Sequence, residues 1–227
     1  MKSYIPSLVI STIFIASLYA QQKETRKLQA FSSITVGEAI EVELTAGNKH
    51  EAIVQVDGKI ELEDVITDVS GGRLRIKKDW GKWKNTDVRV LVTYIDLEKI
   101  EVSSAAILSS LKTIEEDQLK VQVSSAGECD INVDVDELSI RVSSSGDLTI
   151  KGAANDQTVR VSSAGDYDGY DLQCKHANVD VSSAGDARIF VTNRLEAEAS
   201  SAGSVSYKGD PDKVSVDTSS GGSIKKS

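Results

Sequence analysis

The most regular feature of the sequence is alternation. Apolar residues stand two apart at Val121 and Val123, Ile140 and Val142, Val159 and Val161, Val179 and Val181, and Ala197 and Ala199; Val216 and Thr218 repeat the spacing. The residues between them are Gln122, Arg141, Arg160, Asp180, Glu198 and Asp217, all polar. A period of two is that of a strand with one face buried and the other in water. A second apolar set follows each first one, at Cys129 and Ile131, Leu148 and Ile150, Ala187 and Ile189, Val205 and Tyr207, and then Ile224.

Between the two sets lies a recurring hexapeptide. V-S-S-A-A starts at Val102, V-S-S-A-G-E at Val123, V-S-S-S-G-D at Val142, and V-S-S-A-G-D at Val161 and Val181. A-S-S-A-G-S starts at Ala199 and T-S-S-G-G-S at Thr218. The first serines stand at 103, 124, 143, 162, 182, 200 and 219, in steps of 18 to 21 residues. A near-constant step of this size without a helical pattern predicts one turn of a β-solenoid per repeat, hence about seven rungs. Stacked about 4.8 Å apart, they make a column of roughly 30 Å. Each rung is expected to hold a strand, a corner, a second strand and a looser third side.

The alternation, carried through the corner, sends the first serine out and the second in. Ser104, Ser125, Ser144, Ser163, Ser183, Ser201 and Ser220 are therefore expected to form an inner hydroxyl ladder, each bonded to the next. Gly127, Gly146, Gly165, Gly185, Gly203 and Gly221 are expected where the chain turns with positive φ or where a Cβ has no room.

Residues 28–100 lack the hexapeptide. Strands are predicted at 39–44, 51–56, 74–77 and 88–93, with either a helical turn or a strand at 60–66. Asp57-Gly58 is a hairpin signal, and Val69-Ser70-Gly71-Gly72 reads as a degenerate corner. A solenoid end needs cover against edge-to-edge pairing. The sequence is thus read as one domain over residues 28–227, with 28–100 its β-rich N-terminal cap and start and 101–227 the repeats. Residues 21–27 are a short tail. Residues 1–20 read as a signal peptide, with Lys2 in the basic region, 5–18 apolar and Ala20 before the cut.

Composition narrows the function. Aromatics are 5% of the chain and prolines number 2, so the interior must be built from small and β-branched side chains. The net charge of −9 argues against a nucleic-acid partner, which requires a basic surface. No apolar run beyond the leader is long enough for a membrane span. Cys129 points inward as a small hydrophobe, and Cys174 occupies a different offset in its rung, so the two are not expected to bond.

An opening Phe31-Ser32-Ser33-Ile34-Thr35-Val36 is followed by Ile40-Glu41-Val42-Glu43-Leu44-Thr45-Ala46-Gly47. Next come Gly72-Arg73-Leu74-Arg75-Ile76-Lys77 and the S-S-A-G-D corners. This combination, over residues 28 to 227, resembles the bacterial auto-transporter adhesin "head GIN" domain family. The resemblance implies a right-handed parallel β-helix in an exported protein of a Gram-negative envelope, and an adhesive role. It brings no catalytic residues and no cofactor. No translocator barrel or stalk is read after Ser227.

Candidate chemistry is sparse. Glu128, Asp147, Asp166 and Asp186 form a stacked acidic column, which either splays into water or binds a cation. Without a second row of Asp or Asn it reads as solvated turn carboxylates, and it is the sequence's only metal candidate. Trp80 and Trp83 sit among lysines in residues 77–85, as a ligand contact or as apolar cover for the solenoid flank. Neither His50 nor His176 stands in relation to a serine that would make a nucleophile. Arg141 and Arg160 stack on adjacent rungs as face charges.

The function expected is a non-enzymatic adhesin-like or envelope-structural protein, secreted, periplasmic or on the cell surface, whose partner is a surface protein or glycan. A lyase-type polysaccharide enzyme on the same scaffold is the alternative. The last rung, with Lys225 and Lys226 as its one deterrent, reads either as an open edge for weak self-association or partner docking, or as a frayed strand that the two lysines protect.

Overall fold

A computed structural model describes residues 22–79, 81 and 86–227. The elements are β1 (Gln22–Lys27), β2 (Ser33–Val36), β3 (Glu41–Ala46), β4 (Glu51–Gly58), a 3-10 turn (Leu62–Asp64), β5 (Val65–Ser70), β6 (Arg73–Lys78), β7 (Thr86–Tyr94), β8 (Lys99–Val102) and β9 (Ile107–Ser110). The repeats follow as β10 (Ile114–Val123), β11 (Glu128–Val142), β12 (Asp147–Val161), β13 (Asp166–Val181), β14 (Asp186–Ala199), β15 (Ser204–Lys208), β16 (Lys213–Thr218) and β17 (Ser223–Lys226). No helix among the described residues is long and apolar enough to cross a membrane.

From β8 onward every ladder is parallel, and equivalent residues of successive repeats are direct neighbours. Val123 pairs with Val142, Val142 with Val161, and Val161 with Val181. This is the solenoid the repeat predicts. The rung strands bury every second residue, as β11 does from Cys129 to Val135 and again from Leu138 to Val142. The third side is continuous strand in β11, which skips only Asp136 in its pairing with β12. It is looser elsewhere, since the register slips at this side between β12 and β13 and between β13 and β14, and the last rung breaks there between β15 and β16. The interior is a single column built mainly of Val, Ile, Leu, Ala and Cys; among the described residues the buried aromatics are Phe31, Tyr94 and Tyr167.

The corners correct the inward reading of the second serine. Ser125, Ser144, Ser163 and their equivalents are exposed, as is the Ala or Ser that follows each up to residue 202. Both residues have positive φ, 52° and 57° at Ser125 and Ala126. Gly127 N–H donates to the Ser124 carbonyl at 2.9 Å, closing a tight turn of the type I′ class. The serine ladder fails because two successive left-handed residues interrupt the strand's alternation and carry both side chains outward. The glycine that follows has no positive φ in the regular corners and is there for space. A Cβ on Gly146 would lie 2.8 Å from the Val123 carbonyl oxygen of the preceding rung. In the last corner this place belongs to Gly222, not Gly221, which takes the alanine position at φ +80°.

The corner backbone also bonds between rungs: Ser124 N–H reaches Val102 O at 3.0 Å, and Ala126 N–H reaches Ser144 O at 3.1 Å. This ladder offsets the cost of holding non-glycine residues in the left-handed region.

The N-terminal region opens the solenoid out of sequence order. β2 and β3 make a rung whose corner, Gly37-Glu38-Ala39-Ile40, has the same left-handed pair (φ 65° and 53°). On one side that rung pairs with β8 and β9, and on the other with β6 and β7, all parallel. β5 then covers β6, β4 covers β7, and β1 covers β4, all antiparallel. Residues 22–27 are thus a strand of the cap, where the sequence read a tail. Gly71-Gly72 turns the β5–β6 hairpin and is not a corner, while Asp57-Gly58 ends the β4–β7 ladder instead of turning a hairpin. The stretch 60–66 is both things expected of it, a 3-10 turn running into β5.

Candidate binding surface

The acidic column is real. Glu128, Asp147, Asp166 and Asp186 are register partners on consecutive rungs, just past the corner. Two residues further on, Asp130, Thr149, Asp168 and Arg188 form a parallel column. The Arg188 guanidinium lies 3.7 Å from Asp166 and 3.3 Å from Asp168. Burial raises the Asp166 carboxyl above its ordinary range; Arg188 opposes this, while Asp186, Asp147 and Asp168 reinforce it. Among the described residues, no group of three or more His, Cys, Asp or Glu side chains is placed to hold a metal ion. The column is an anionic ridge, with Arg188 at its C-terminal end.

The face formed by the strands leading into the corners carries three ordered columns. One runs Asp156, His176, Arg194, Lys213; the next Thr158, Asn178, Glu196, Ser215; the third Arg160, Asp180, Glu198, Asp217. Arg141 stacks on Arg160, with Gln122 and Asp180 beyond them, as face charges would. His176 Nδ1 lies 2.9 Å from Asp156, and Arg194 pairs with Glu196. Sequence reasoning named His176 and the third column, Arg160, Asp180, Glu198 and Asp217, and none of the others. It missed that the register stacks Arg194 on Lys213 in the first column, beside the acidic run Asp180, Glu198 and Asp217 in the third.

A cleft of about 1050 Å³ lies between the β5–β6 hairpin tip and the start of β10. Glu98, Glu116, Asp117, Asp136, Arg73 and Lys120 are among the residues that line it. Glu116 Oε1 accepts the Leu97 N–H at 2.7 Å. Its carboxyl is raised by burial first, then by Asp96, Glu98 and Asp117, against the pull of that hydrogen bond. The signal lay in Glu115-Glu116-Asp117-Gln118, four polar residues in a row where the strand pattern asks for alternation.

Near the C-terminal end Tyr170 and Phe190 are half-buried, with the Lys208 ammonium 5.5 Å and 5.0 Å from their ring centres. Trp80 and Trp83, between β6 and β7 in the sequence, lie outside the described residues. Cys129 and Cys174 are both buried free thiols in different columns, Cys129 stacked on Leu148 and Cys174 on Ala154.

Solved structures share this architecture. A protein from Bacteroides fragilis described as a "putative adhesin" superposes with TM-score 0.82 at 18% identity, over 92% of this chain and 97% of its own. A "putative adhesin" from Parabacteroides merdae gives 0.73 at 16%, over 91% and 96%. A "putative lipid binding protein" from Parabacteroides distasonis gives 0.71 at 19%, again over 91% and 96%. At these identities the likeness concerns the fold. No curated protein matches the chain. The family described as "Putative auto-transporter adhesin, head GIN domain" matches residues 30–211.

Proposed function

Because the chain belongs to this head GIN domain family, we propose that it is an exported, non-enzymatic adhesin-like protein whose solenoid face binds a surface protein or glycan. One observation supports this reading above the others: the outward residues of β11 to β16 form register-aligned columns of hydroxyl, amide and charged groups. Such an array, on a rigid all-parallel scaffold, offers many weak polar contacts at a fixed spacing of about 4.8 Å. A long polymer or an extended protein surface can engage them together, so individually weak contacts add without a deep pocket.

The role calls for export, which the leader at residues 1–20 would supply; that segment lies outside the described residues. The anionic ridge and the cleft are read as parts of the same contact surface. The test is a panel of glycans and extracellular matrix proteins presented to the purified protein, with turnover of uronic-acid polymers measured in parallel, with and without Ca²⁺. Saturable binding without turnover is expected. Turnover, or no binding across the panel, overturns the reading.

A further inference from the structure

β16 and β17 form the last described rung. Among the described residues β16 pairs only with β14, and β17 only with β15. Val214 and Val216 continue the interior columns of Leu195 and Ala197. They are nevertheless 47% and 49% exposed, where Leu195 is fully buried. An apolar strand edge with free backbone groups is a template for pairing.

The charges on this strand specify what fits. Lys213 ends the basic column of His176 and Arg194, and Asp217 ends the acidic column of Asp180 and Glu198, with Ser215 midway. A further parallel strand of like sequence would place Lys over Lys and Asp over Asp, an unfavourable arrangement. An antiparallel copy reverses the order. With Ser215 opposite Ser215, each Lys213 faces the other chain's Asp217, and each Val214 faces the other chain's Val216. Residues directly opposite share a face, so all four valines point to the interior and both ion pairs point outward.

The opposite end of the solenoid is not equivalent. β1 presents Gln22, Lys23, Glu24, Thr25, Arg26 and Lys27, without an apolar residue, and such a charged edge discourages pairing. The other edge strand there, β5, holds Ile66 and Val69, but the Arg26 guanidinium bonds across it to the Val65 carbonyl and the Thr67 hydroxyl. Head-to-tail stacking is therefore disfavoured, while an end-to-end contact closes on itself as a two-fold dimer. Lys225 opposes a second contact through β17, where Lys226 is already paired with Asp210, so the association rests on β16 and is weak. The geometry points to a self-complementary, antiparallel β16–β16 contact between two copies of this chain, independent of whatever ligand the faces bind.

Sedimentation velocity of the purified protein over a concentration series tests this, using Lys213→Asp and Asp217→Lys separately and mixed. Wild type is expected to show a monomer–dimer equilibrium. Each reversal alone should weaken it at least about tenfold, since it opposes like charges twice. The two variants mixed should dimerise with each other, because β16 of the first is then acidic at both positions and β16 of the second is basic at both. Circular dichroism of each variant confirms that the solenoid is folded. A wild type that stays monomeric throughout, reversals that leave association unchanged, or a mixture that fails to restore it overturns the contact.

Discussion

Gly165 rests against Val142 of the preceding rung so closely that a Cβ on it would lie 3.0 Å from both the Val142 carbonyl carbon and its Cγ1. The residue before it, Ala164, is exposed and held at φ 56°. Neighbouring positions of one corner thus have opposite needs. Gly165→Ala should cost about 2–3 kcal/mol, because backbone must shift to admit the methyl. Ala164→Gly should be neutral or stabilising by up to about 1 kcal/mol, since it relieves left-handed strain. Urea denaturation of both variants decides. Equal losses would show that the corner is not space-limited at the glycine.

Val161 and Arg160 test the two faces of a rung. Val161 is 1% exposed, and Arg160 points to water. Val161→Asp should destabilise by about 3–5 kcal/mol through an unpaired interior charge. Arg160→Asp should cost about 1 kcal/mol or less, from its new proximity to Asp180. Thermal melts followed by circular dichroism give the comparison.

The cleft carries a pH signature. The raised Glu116 carboxyl means that the folded chain binds this proton more tightly than the unfolded chain. Its contribution to stability is full below the ordinary glutamate value of about 4.3 and is lost as pH rises through the raised folded value. Glu116→Gln keeps an oxygen for the Leu97 N–H and removes the charge. It should raise Tm slightly near neutral pH and lose that advantage in acid. A gain that persists unchanged in acid would place its cause elsewhere.

Both thiols should resist modification in the native state. Burial pushes the Cys174 thiol up to about 11 and Cys129 higher still. The thiolate is the reactive form, so labelling by a disulfide reagent at mildly alkaline pH should follow global unfolding. Fast labelling of one thiol in buffer would reveal local opening of its rung.

The rungs were legible because they obey one rule many times. Val142, Val161 and Val181 are buried by the same alternation, and the serine spacing sets the register. What escaped the pattern was local or antiparallel. Ser125 points outward because two left-handed residues break the alternation, and no count of apolar positions reveals a φ angle. Residues 22–27 have no apolar pattern, yet they form β1, since a cap strand can be held by backbone bonds alone. The cleft around Glu116 joins residues from the hairpin tip, β10 and the bend of β11, whose adjacency only the topology creates. The column of Glu128, Asp147, Asp166 and Asp186 was readable residue by residue, but the Arg188 closing it was not, because it belongs to a neighbouring column.

The out-of-order opening of the solenoid bears on how the chain acquires its structure during synthesis. In the regular rungs a strand meets its neighbour about one repeat later. The first rung instead waits for partners far downstream: Glu38 accepts the Lys78 N–H 40 positions on, and Thr35 donates to Glu101 66 positions on. β2 and β3 leave the ribosome early yet cannot be flanked on both sides until β9 has followed. Closing those large loops is the slow, entropically costly step, whereas each later repeat adds to an existing template. The first rung is therefore completed only when about half of the chain has been made, so the folding nucleus of the solenoid is long-range where its extension is local.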